Sequence, residues 1–358
     1  MHQVHGRAQH YAWGDADAIP QLLGRHPDGR PWAEWWLGTH HLAPSTIDDG
    51  RPLQSVAGEL PFLLKLTAAA EPLSLQSHPD RQRAEQGFER EERAGVPIDS
   101  PERIYKDRFA KPELLCAVRP FDTLSGFRPV EQTLALLEEI GAGALAHGLR
   151  AEKLAGTVAA LYHGELDITP TLAACARSKC REAVLVNELA EAYPGDPSVV
   201  VTLLLNRVLL SPGEAVFLGP GNLHAYLRGF GVEIMANSDN VIRSGMTVKH
   251  VDVDELLDVL DFEPLEEPRA RSFEVDPGVW RYQTPPATPA PFVLWRYEIR
   301  NGDRHDHRAD AKELLLWVAG ERQGECVYLD PGEEVSLPGP ATVFRAQKSA
   351  AFEDCGPV

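Results

Sequence analysis

The sequence has few cysteines, and none of them stand in a paired arrangement. Its five cysteines, Cys116, Cys175, Cys180, Cys326 and Cys355, are scattered, odd in number and lack Cys-x-x-Cys spacing. A disulfide framework needs paired cysteines, so this pattern fits a reducing compartment better. We therefore expect free thiols.

Positive charge is also scarce. The chain has 35 Lys and Arg against 53 Asp and Glu, a formal net charge of −18. Nucleic acid is not an expected partner, because nonspecific affinity for it comes from basic residues that neutralise phosphates. An acidic surface also repels small anions at long range, so an anionic substrate would need a local basic cluster.

Long apolar runs are absent as well. The chain has nowhere the run of about 18 apolar residues that a membrane helix needs, and its first segment, MHQVHGRAQHYAWG, lacks the apolar core of a signal peptide. We expect neither a membrane nor an export route, and a cytoplasmic location. With 358 residues, 43% hydrophobic and 25% charged, the chain is typical of a globular protein with two or three compact units.

The pattern of the chain changes near Pro129. Residues 1–128 read as short apolar runs broken by Gly and Pro, which predicts mainly strands, with a solvated helix over the charged tract 81–94. Residues 129–197 have helical periodicity, starting at Pro129 and pausing at Gly141. Their apolar stripe predicts core packing rather than a cofactor site. Sequence patterns typical of strands resume after Val199, and a second β-rich unit runs from about residue 270 to the end.

A short motif occurs twice in the β-rich text. SPGEAVFLGPG at 211–221 and DPGEEVSLPGP at 330–340 share a Pro-Gly-Glu triplet and apolar residues two and four places after the Glu, at an offset of 119 residues (211 to 330). A tight turn followed by an alternating strand is a unit of jelly rolls, although turn chemistry alone can produce three identities. At this offset His224 corresponds to Val343, so the second copy would be structural.

Two segments place polar side chains on one face of a strand. In LSLQSHPD, alternation puts Ser74, Gln76 and His78 on the same face, and in GNLHAYL it does the same for His224 and Tyr226. Ligand-type side chains at alternate strand positions can present neighbouring donors to a metal. The alternative, for the first fragment taken alone, is a strand with an exposed polar face.

A third segment supplies basic residues. If GVEIMANSDNVIRSGMTVKH were extended throughout, Asp239, Arg243 and Lys249 would share a face, although its SDN and SG pairs indicate turns that could break this register. Convergent Arg and Lys side chains suit a phosphate, since Arg offers a bidentate fork and Lys a point charge.

These residues, with several others, resemble one family, the zinc-dependent type I phosphomannose isomerases. The matching segments are YAWG at 11–14, AEWWLGTHHLAPS at 33–45, LPFLLKLTAAAEPLSLQSHPD at 60–80, YKDRFAKPELL at 105–115 and GNLHAYLRGFGVEIMANSDNVIRSGMTVKHVDV at 221–253. The last is the most specific, because its HAYL, GxGxE, SDNVxR and TxKxxDV elements occur together in the family's order.

The resemblance implies a ligand set and a substrate site. It implies one zinc ion per chain held by Gln76, His78, Glu113 and His224, a donor set that borderline zinc accepts. The catalytic residues it implies are Arg243, Glu233, Asp239 and Lys111, and the substrate-binding residues are Lys249, Lys65, Ser74, Tyr226 and Trp13.

The resemblance also implies a mainly β fold with two cupin (jelly-roll) barrels and an all-α insertion. The expected division is a metal-binding cupin domain at 1–128 plus 198–262, a helical insertion domain at 129–197 and a metal-free cupin domain at 263–358. A monomer is expected.

The implied activity is the interconversion of mannose 6-phosphate and fructose 6-phosphate through an enediol(ate), feeding mannose metabolism and GDP-mannose supply. Arg243 and nearby lysines are expected to hold the phosphate or the developing oxyanion, and Glu233 or Asp239 to transfer the proton. The alternatives are a related isomerase acting on another hexose phosphate, and a non-catalytic regulator that binds sugar phosphates on the same scaffold.

One position departs from the family. Family members commonly have an Asn-His pair before Lys-Pro-Glu, whereas Phe109 and Ala110 stand here. Acid/base work assigned to that histidine must belong to another residue, or the substrate preference has shifted. The identity of the proton-transfer base is therefore left open.

Two further histidine pairs are interpreted as solvated or structural, and the tryptophan pair as mainly core. The neighbours His40 and His41 would point to opposite faces of a strand, and the pair at 305 and 307 lies in a charged, loop-like stretch, so solvated or structural roles are expected. Trp35 and Trp36 would also lie on opposite faces, so at most one would face a ligand.

Overall fold

The computed structural model describes residues 1–350 and is mainly β, as the sequence predicts. Cys355 and the last eight residues of the expected C-terminal domain lie outside the described residues. The other four cysteines, Cys116, Cys175, Cys180 and Cys326, are free thiols. No helix within residues 1–350 is both long and apolar enough to cross a membrane.

The first third of the chain is built from short strands with three helices between them. Its elements are β1 (His2–His5), β2 (Arg7–Gln9), α1 (Ala18–Leu22), β3 (Glu34–Gly38), β4 (Thr46–Ile47), α2 (Gln54–Ala57), β5 (Phe62–Ala69), β6 (Leu75–Ser77), α3 (Arg81–Ala94), β7 (Glu113–Ala117) and β8 (Phe121–Phe127). Helix α3 is the charged helix predicted at 81–94, and Asp80 caps it by accepting the Arg83 N–H.

Only helices follow between β8 and the next strand. They are α4 (Val130–Ile140), α5 (Gly143–Tyr162), α6 (Thr169–Cys175), α7 (Arg181–Ala192) and α8 (Ser198–Val201), with a 3₁₀ turn at Thr202–Leu204. Helix α4 ends at Gly141, whose φ of 82° is the left-handed C-cap conformation that glycine adopts freely. The predicted helices are therefore present, and their status as a separate insertion domain stays a prediction.

The remaining chain returns to strands with one further helix. Its elements are β9 (Leu205–Leu210), β10 (Ala215–Leu218), β11 (His224–Ala236), β12 (Ile242–Gly245), α9 (Val253–Val259), β13 (Arg269–Ala270), β14 (Ser272–Asp276), β15 (Val279–Tyr282), β16 (Phe292–Ile299), β17 (Arg304–Arg308), β18 (Glu313–Ala319), β19 (Cys326–Leu329), β20 (Glu334–Pro338) and β21 (Ala341–Lys348).

Strand β11 is the centre of the sheet that carries the polar motifs. Its second half lies between β5 and β7, and its first half pairs with β6 and β8. The two halves meet at Gly229, where φ is 150° and a side chain would place its Cβ 2.5 Å from the Phe121 ring. A glycine there lets one strand bend and serve both groups of neighbours.

A second sheet joins the two ends of the chain. Its order is β14-β15-β16-β21-β18-β19-β1-β4, so the N-terminal strands β1 and β4 extend the sheet formed by C-terminal strands. The two β-rich parts of the chain thus share a sheet. Their expected division into domains stays a prediction.

The repeated motif forms the same turn twice. The Ser211 N–H donates to the Glu214 carboxylate at 2.8 Å, and the Asp330 N–H donates to the Glu333 carboxylate at 2.8 Å. The Glu214 N–H also donates to the Ser211 carbonyl, and the Glu333 N–H to the Asp330 carbonyl. A strand follows each turn, β10 after the first and β20 after the second. The matched hydrogen bonds support an internal duplication.

Candidate metal centre

Two histidines and a glutamate meet inside the first sheet. His78 directly follows β6, Glu113 begins β7 and His224 begins β11, so three strand ends bring them together. The His78 Nε2 atom lies 3.3 Å from Glu113 Oε1, and the His224 Nε2 atom lies 3.7 Å from Glu113 Oε2. All three side chains are buried.

The hydrogen bonds of the two imidazoles leave both Nε2 atoms available to a ligand. The His78 Nδ1 atom lies 2.8 Å from the Asn240 carbonyl, and the His224 Nδ1 atom lies 2.9 Å from the Asn222 carbonyl. Because a carbonyl can only accept, each Nδ1 carries the proton and each Nε2 keeps a lone pair. Neither buried Nε2 has a hydrogen-bond partner in the described chain.

The protonation states of this cluster also suit a cation. Burial lowers the pKa of His224 to about 4 and lowers that of His78, so both imidazoles stay neutral at pH 7. Burial alone would raise the pKa of Glu113, but the Lys111 ammonium, 3.3 Å away, holds it well below its usual range. Two neutral imidazoles and an ionised carboxylate are donors that zinc accepts.

The structure places Gln76 on the strand beside this cluster. In the pairing of β6, Gln76 lies opposite His224 on one side and Arg243 of β12 on the other. The partly buried amide is thus held next to the cluster by two strands. A role as fourth ligand stays a proposal.

A buried lysine and glutamate lie deeper in the same sheet. The Lys65 Nζ atom is 3.2 Å from Glu34 and 3.6 Å from Glu233, and it lies 5.6 Å from the centre of the Trp36 ring. The two carboxylates raise the pKa of Lys65 against the effect of its burial, so the ammonium stays charged. Trp36 thus faces this pocket, whereas Trp35 stacks on Trp32 in the core, as the alternation of β3 predicts.

Glu233 is a buried carboxylate whose pKa is raised towards neutrality. It accepts hydrogen bonds from the Thr67 hydroxyl at 2.7 Å and from the Tyr226 hydroxyl at 3.1 Å. Burial raises its pKa to about 7, although the Lys65 charge acts in the opposite direction. Burial and the Glu233 charge raise the pKa of Tyr226, so the phenol stays protonated.

Three basic side chains cluster around β12. Burial lowers the pKa of all three side chains. The Arg243 charge lowers the pKa of Lys249 further, and the charges of Arg103 and Arg243 lower that of Lys106. Within residues 1–350 neither Arg243 nor Lys249 forms an ion pair, so their mutual repulsion is uncompensated. A site of this kind is suited to an anion.

The remaining predicted residues lie around these groups. Ser74 follows Leu73, whose N–H donates to the Tyr226 carbonyl at 2.8 Å, and Trp13 packs on the cluster that contains Tyr226. Asp239 lies at a turn, where its N–H donates to the Asp107 carboxylate at 2.8 Å. The turn breaks the register that would have aligned Asp239 with Arg243.

Sequence reasoning missed several supporting residues and misread two histidine pairs. Thr67 lies two positions after Lys65 on β5, so strand alternation could have found it, whereas Lys106 had no such signal. His40 and His41 do not point to opposite faces, because β3 ends at Gly38 and their rings stack 4.8 Å apart in the following turn. The stretch containing His305 and His307 is strand β17 rather than a loop, and His307 is buried against Glu313.

The chain is similar to known isomerases in sequence. The family model for the catalytic domain of type I phosphomannose isomerase matches residues 51–130. The mannose-6-phosphate isomerase of Salmonella typhimurium is 34% identical, over 94% of each chain. That of Escherichia coli is 36% identical over 74% of this chain and 75% of its own.

The similarity extends to three-dimensional structure. A crystal structure of the Salmonella typhimurium mannose 6-phosphate isomerase, bound to fructose 6-phosphate and zinc, superposes with a TM-score of 0.83 at 30% identity. The match covers 97% of this chain and 99% of that one.

Proposed function

The chain is an enzyme of the type I phosphomannose isomerase family, and we propose that it interconverts mannose 6-phosphate and fructose 6-phosphate with one zinc ion per chain. The observation that carries this proposal is the buried cluster of His78, Glu113 and His224, whose two free Nε2 lone pairs are expensive to bury unless they bind a cation. Arg243, which lies opposite Gln76, and the nearby Lys249 form no ion pair within residues 1–350 and suit the phosphate.

Gln76, His78, Glu113 and His224 would hold the zinc ion. Bound there, zinc supplies a Lewis acid that stabilises negative charge developing on sugar oxygens. Neutral imidazoles and an amide leave the ion most of its positive charge, and only Glu113 offsets it. We assign one ion per chain to this set.

Glu233 moves the proton between C1 and C2 in this proposal. An aldose becomes a ketose when a base removes the proton from C2 and returns it to C1, while the hydroxyl proton of O2 passes to O1, through an enediol(ate) with charge on the sugar oxygens. A base works best with a pKa near the working pH, and that of Glu233 is raised to about 7. Asp239, the alternative carboxylate, has a lowered pKa and is a weaker base.

Cations and polar side chains position the sugar phosphate. Arg243 and Lys249 bind the phosphate, because within residues 1–350 neither is paired with a carboxylate and Arg243 lies on the strand beside Gln76. Lys65 and Lys111 stabilise charge that develops on the enediolate oxygens. Ser74, Tyr226 and Trp13 line the sugar.

The family also suggests a cellular role. We place the enzyme in the cytoplasm as a monomer, where fructose 6-phosphate is converted to mannose 6-phosphate for GDP-mannose supply. The division into two cupin domains and a helical insertion belongs to the same proposal.

An assay of metal-replete protein with mannose 6-phosphate tests this function. Formation of fructose 6-phosphate, followed with a coupled enzyme, is the expected result. Turnover of another hexose phosphate alone would favour the related isomerase. Retained binding of mannose 6-phosphate without turnover would favour the non-catalytic regulator.

Substitution of Arg243 tests the phosphate site. We expect Arg243→Ala to raise the KM for mannose 6-phosphate about tenfold to a hundredfold, the effect of losing charge-assisted hydrogen bonds. Arg243→Lys keeps the charge without the bidentate fork, so its KM should lie between those of the wild type and Arg243→Ala. Arg150→Ala, at an exposed arginine in α5, is the matched control. Wild-type KM and turnover in Arg243→Ala would remove Arg243 from the site.

A further inference from the structure

A second cluster of histidine and carboxylate side chains lies at the turn that follows β3. The ligand-type atoms of His40, His41 and Asp239 lie within 4.8 Å of one another. Such a cluster can bind a cation or exchange protons, and the hydrogen bonds of its members distinguish the two.

The hydrogen bonds of His40 favour proton chemistry. The Leu42 N–H donates to His40 Nδ1 at 3.3 Å, so the ring proton lies on Nε2 and points at Asp239 Oδ1, 3.3 Å away. The buried ring also packs edge-on against Trp36, with the ring centres 4.8 Å apart. A nitrogen that donates its proton has no lone pair for a metal, so His40 acts as a fixed support for the carboxylate.

Asp239 is held from two sides and turns its second oxygen towards His41. Its N–H donates to Asp107 at 2.8 Å, His40 occupies Oδ1, and Oδ2 lies 3.8 Å from His41 Nε2. Burial raises the pKa of Asp239, but the hydrogen bond from His40 and the nearby positive charges outweigh it, so the net pKa is lowered. An ionised carboxylate at Nε2 favours the tautomer with the proton on that nitrogen and leaves the Nδ1 lone pair free.

His41 reaches solvent, whereas its neighbour His40 is buried. Its side chain is 73% exposed, whereas that of His40 is 1% exposed. An exposed imidazole beside a carboxylate whose side chain is only 25% exposed can meet a ligand that enters from solvent.

Lys111 acts on both this cluster and the metal centre. Lys111, whose ammonium lies 3.3 Å from Glu113, is among the charges that act on Asp239. The segment before Lys111 also contacts the turn at Asp239, since the Asn240 side-chain amide donates to the Phe109 carbonyl at 2.9 Å. Ala110 in that segment offers only a methyl group, so the imidazole comes from the turn after β3.

We propose that His41, held by Asp239, is the acid/base residue that opens the sugar ring before isomerisation; this inference rests on the proposed function. In the closed sugar, His41 Nδ1 takes the proton from O1, the C1–O5 bond breaks as the C1=O double bond forms, and the imidazolium returns the proton to O5. Both oxygens are bonded to C1, so one nitrogen reaches both. The imidazole ends neutral and Asp239 does not change its charge.

The test separates ring opening from isomerisation with 2-deoxyglucose 6-phosphate. This sugar opens and closes but lacks the C2 hydroxyl needed to become a ketose, so its enzyme-dependent anomerisation measures ring opening alone. Exchange between the two anomers is followed by NMR with the zinc-loaded protein. We expect His41→Ala and His41→Gln to slow it by about 10²-fold, the range of general acid–base catalysis.

Controls keep this outcome specific. Leu42→Ala, at an exposed neighbour in the same turn, should anomerise at the wild-type rate. Both His41 variants should retain the zinc content of the wild type by mass spectrometry. Wild-type anomerisation in both variants, or loss of zinc from them, would overturn the role of His41. A wild-type protein that turns over no mannose 6-phosphate would instead refute the proposed function.

Discussion

Glu113→Gln is expected to remove the bound zinc and to lower the turnover of mannose 6-phosphate by at least about 10³-fold. Glu113 is the one carboxylate of the cluster and contacts both imidazoles, so an amide there removes the negative charge that the cluster offers to the ion. The loss of Lewis-acid stabilisation is worth several kcal/mol, and about 4 kcal/mol corresponds to about 10³-fold in rate. Zinc content by mass spectrometry and kcat by coupled assay are the two measurements.

The matched control is a buried glutamate in the other β-rich part. Glu313 is fully buried and paired with His307, as Glu113 is paired with His78. Glu313→Gln should lower thermal stability but leave zinc content and kcat near wild type. An equal loss of zinc in both variants would show that the effect of Glu113→Gln is a general effect of disturbing a buried glutamate.

Glu233→Gln is expected to lower kcat by about 10³-fold with little change in KM, within the range of acid–base catalysis. The amide preserves the shape of the side chain and can still accept from Thr67 or Tyr226, but it cannot take a proton. Exchange of the C2 proton of mannose 6-phosphate with deuterated solvent isolates the step. That exchange should fall together with kcat, and the zinc content should not.

The pH profile adds a second measurement on the same residue. A carboxylate with its pKa raised to about 7 acts as a base only above that value, so kcat of the wild type should fall as pH decreases through about 7. Glu34→Gln changes the other carboxylate that contacts Lys65. It should lower kcat less than tenfold, and kcat should still decrease as the pH falls through about 7. C2 exchange at the wild-type rate in Glu233→Gln would transfer the role to Asp239.

Local patterns in the sequence predicted which polar side chains share a strand face, whereas the ligand set came from the resemblance to the family. The alternation in LSLQSHPD and GNLHAYL set Gln76, His78 and His224 at neighbouring strand ends, because side-chain direction in a strand follows a period of two. The Pro-Gly-Glu turns and the helices from Val130 were also predictable, since they depend on residues close together in the chain.

Contacts between distant segments were not predictable in the same way. Nothing local in His2–His5 indicates that it pairs with β19, more than 300 residues later. The stacking of His40 on His41 depends on where β3 ends, and a continued strand would have separated them. The raised pKa of Glu233 depends on burial among residues from three strands, which the sequence does not show.

A zinc titration of the metal-free protein tests the central claim most directly. After removal of metal with a chelator, the protein should show no isomerisation of mannose 6-phosphate, and turnover should return in proportion to added zinc and level off at one ion per chain. Substitution of His224 by alanine should abolish the response. Full turnover of the metal-free protein, or zinc binding that restores no isomerisation, would contradict the assignment of a zinc-dependent isomerase centre to His78, Glu113 and His224.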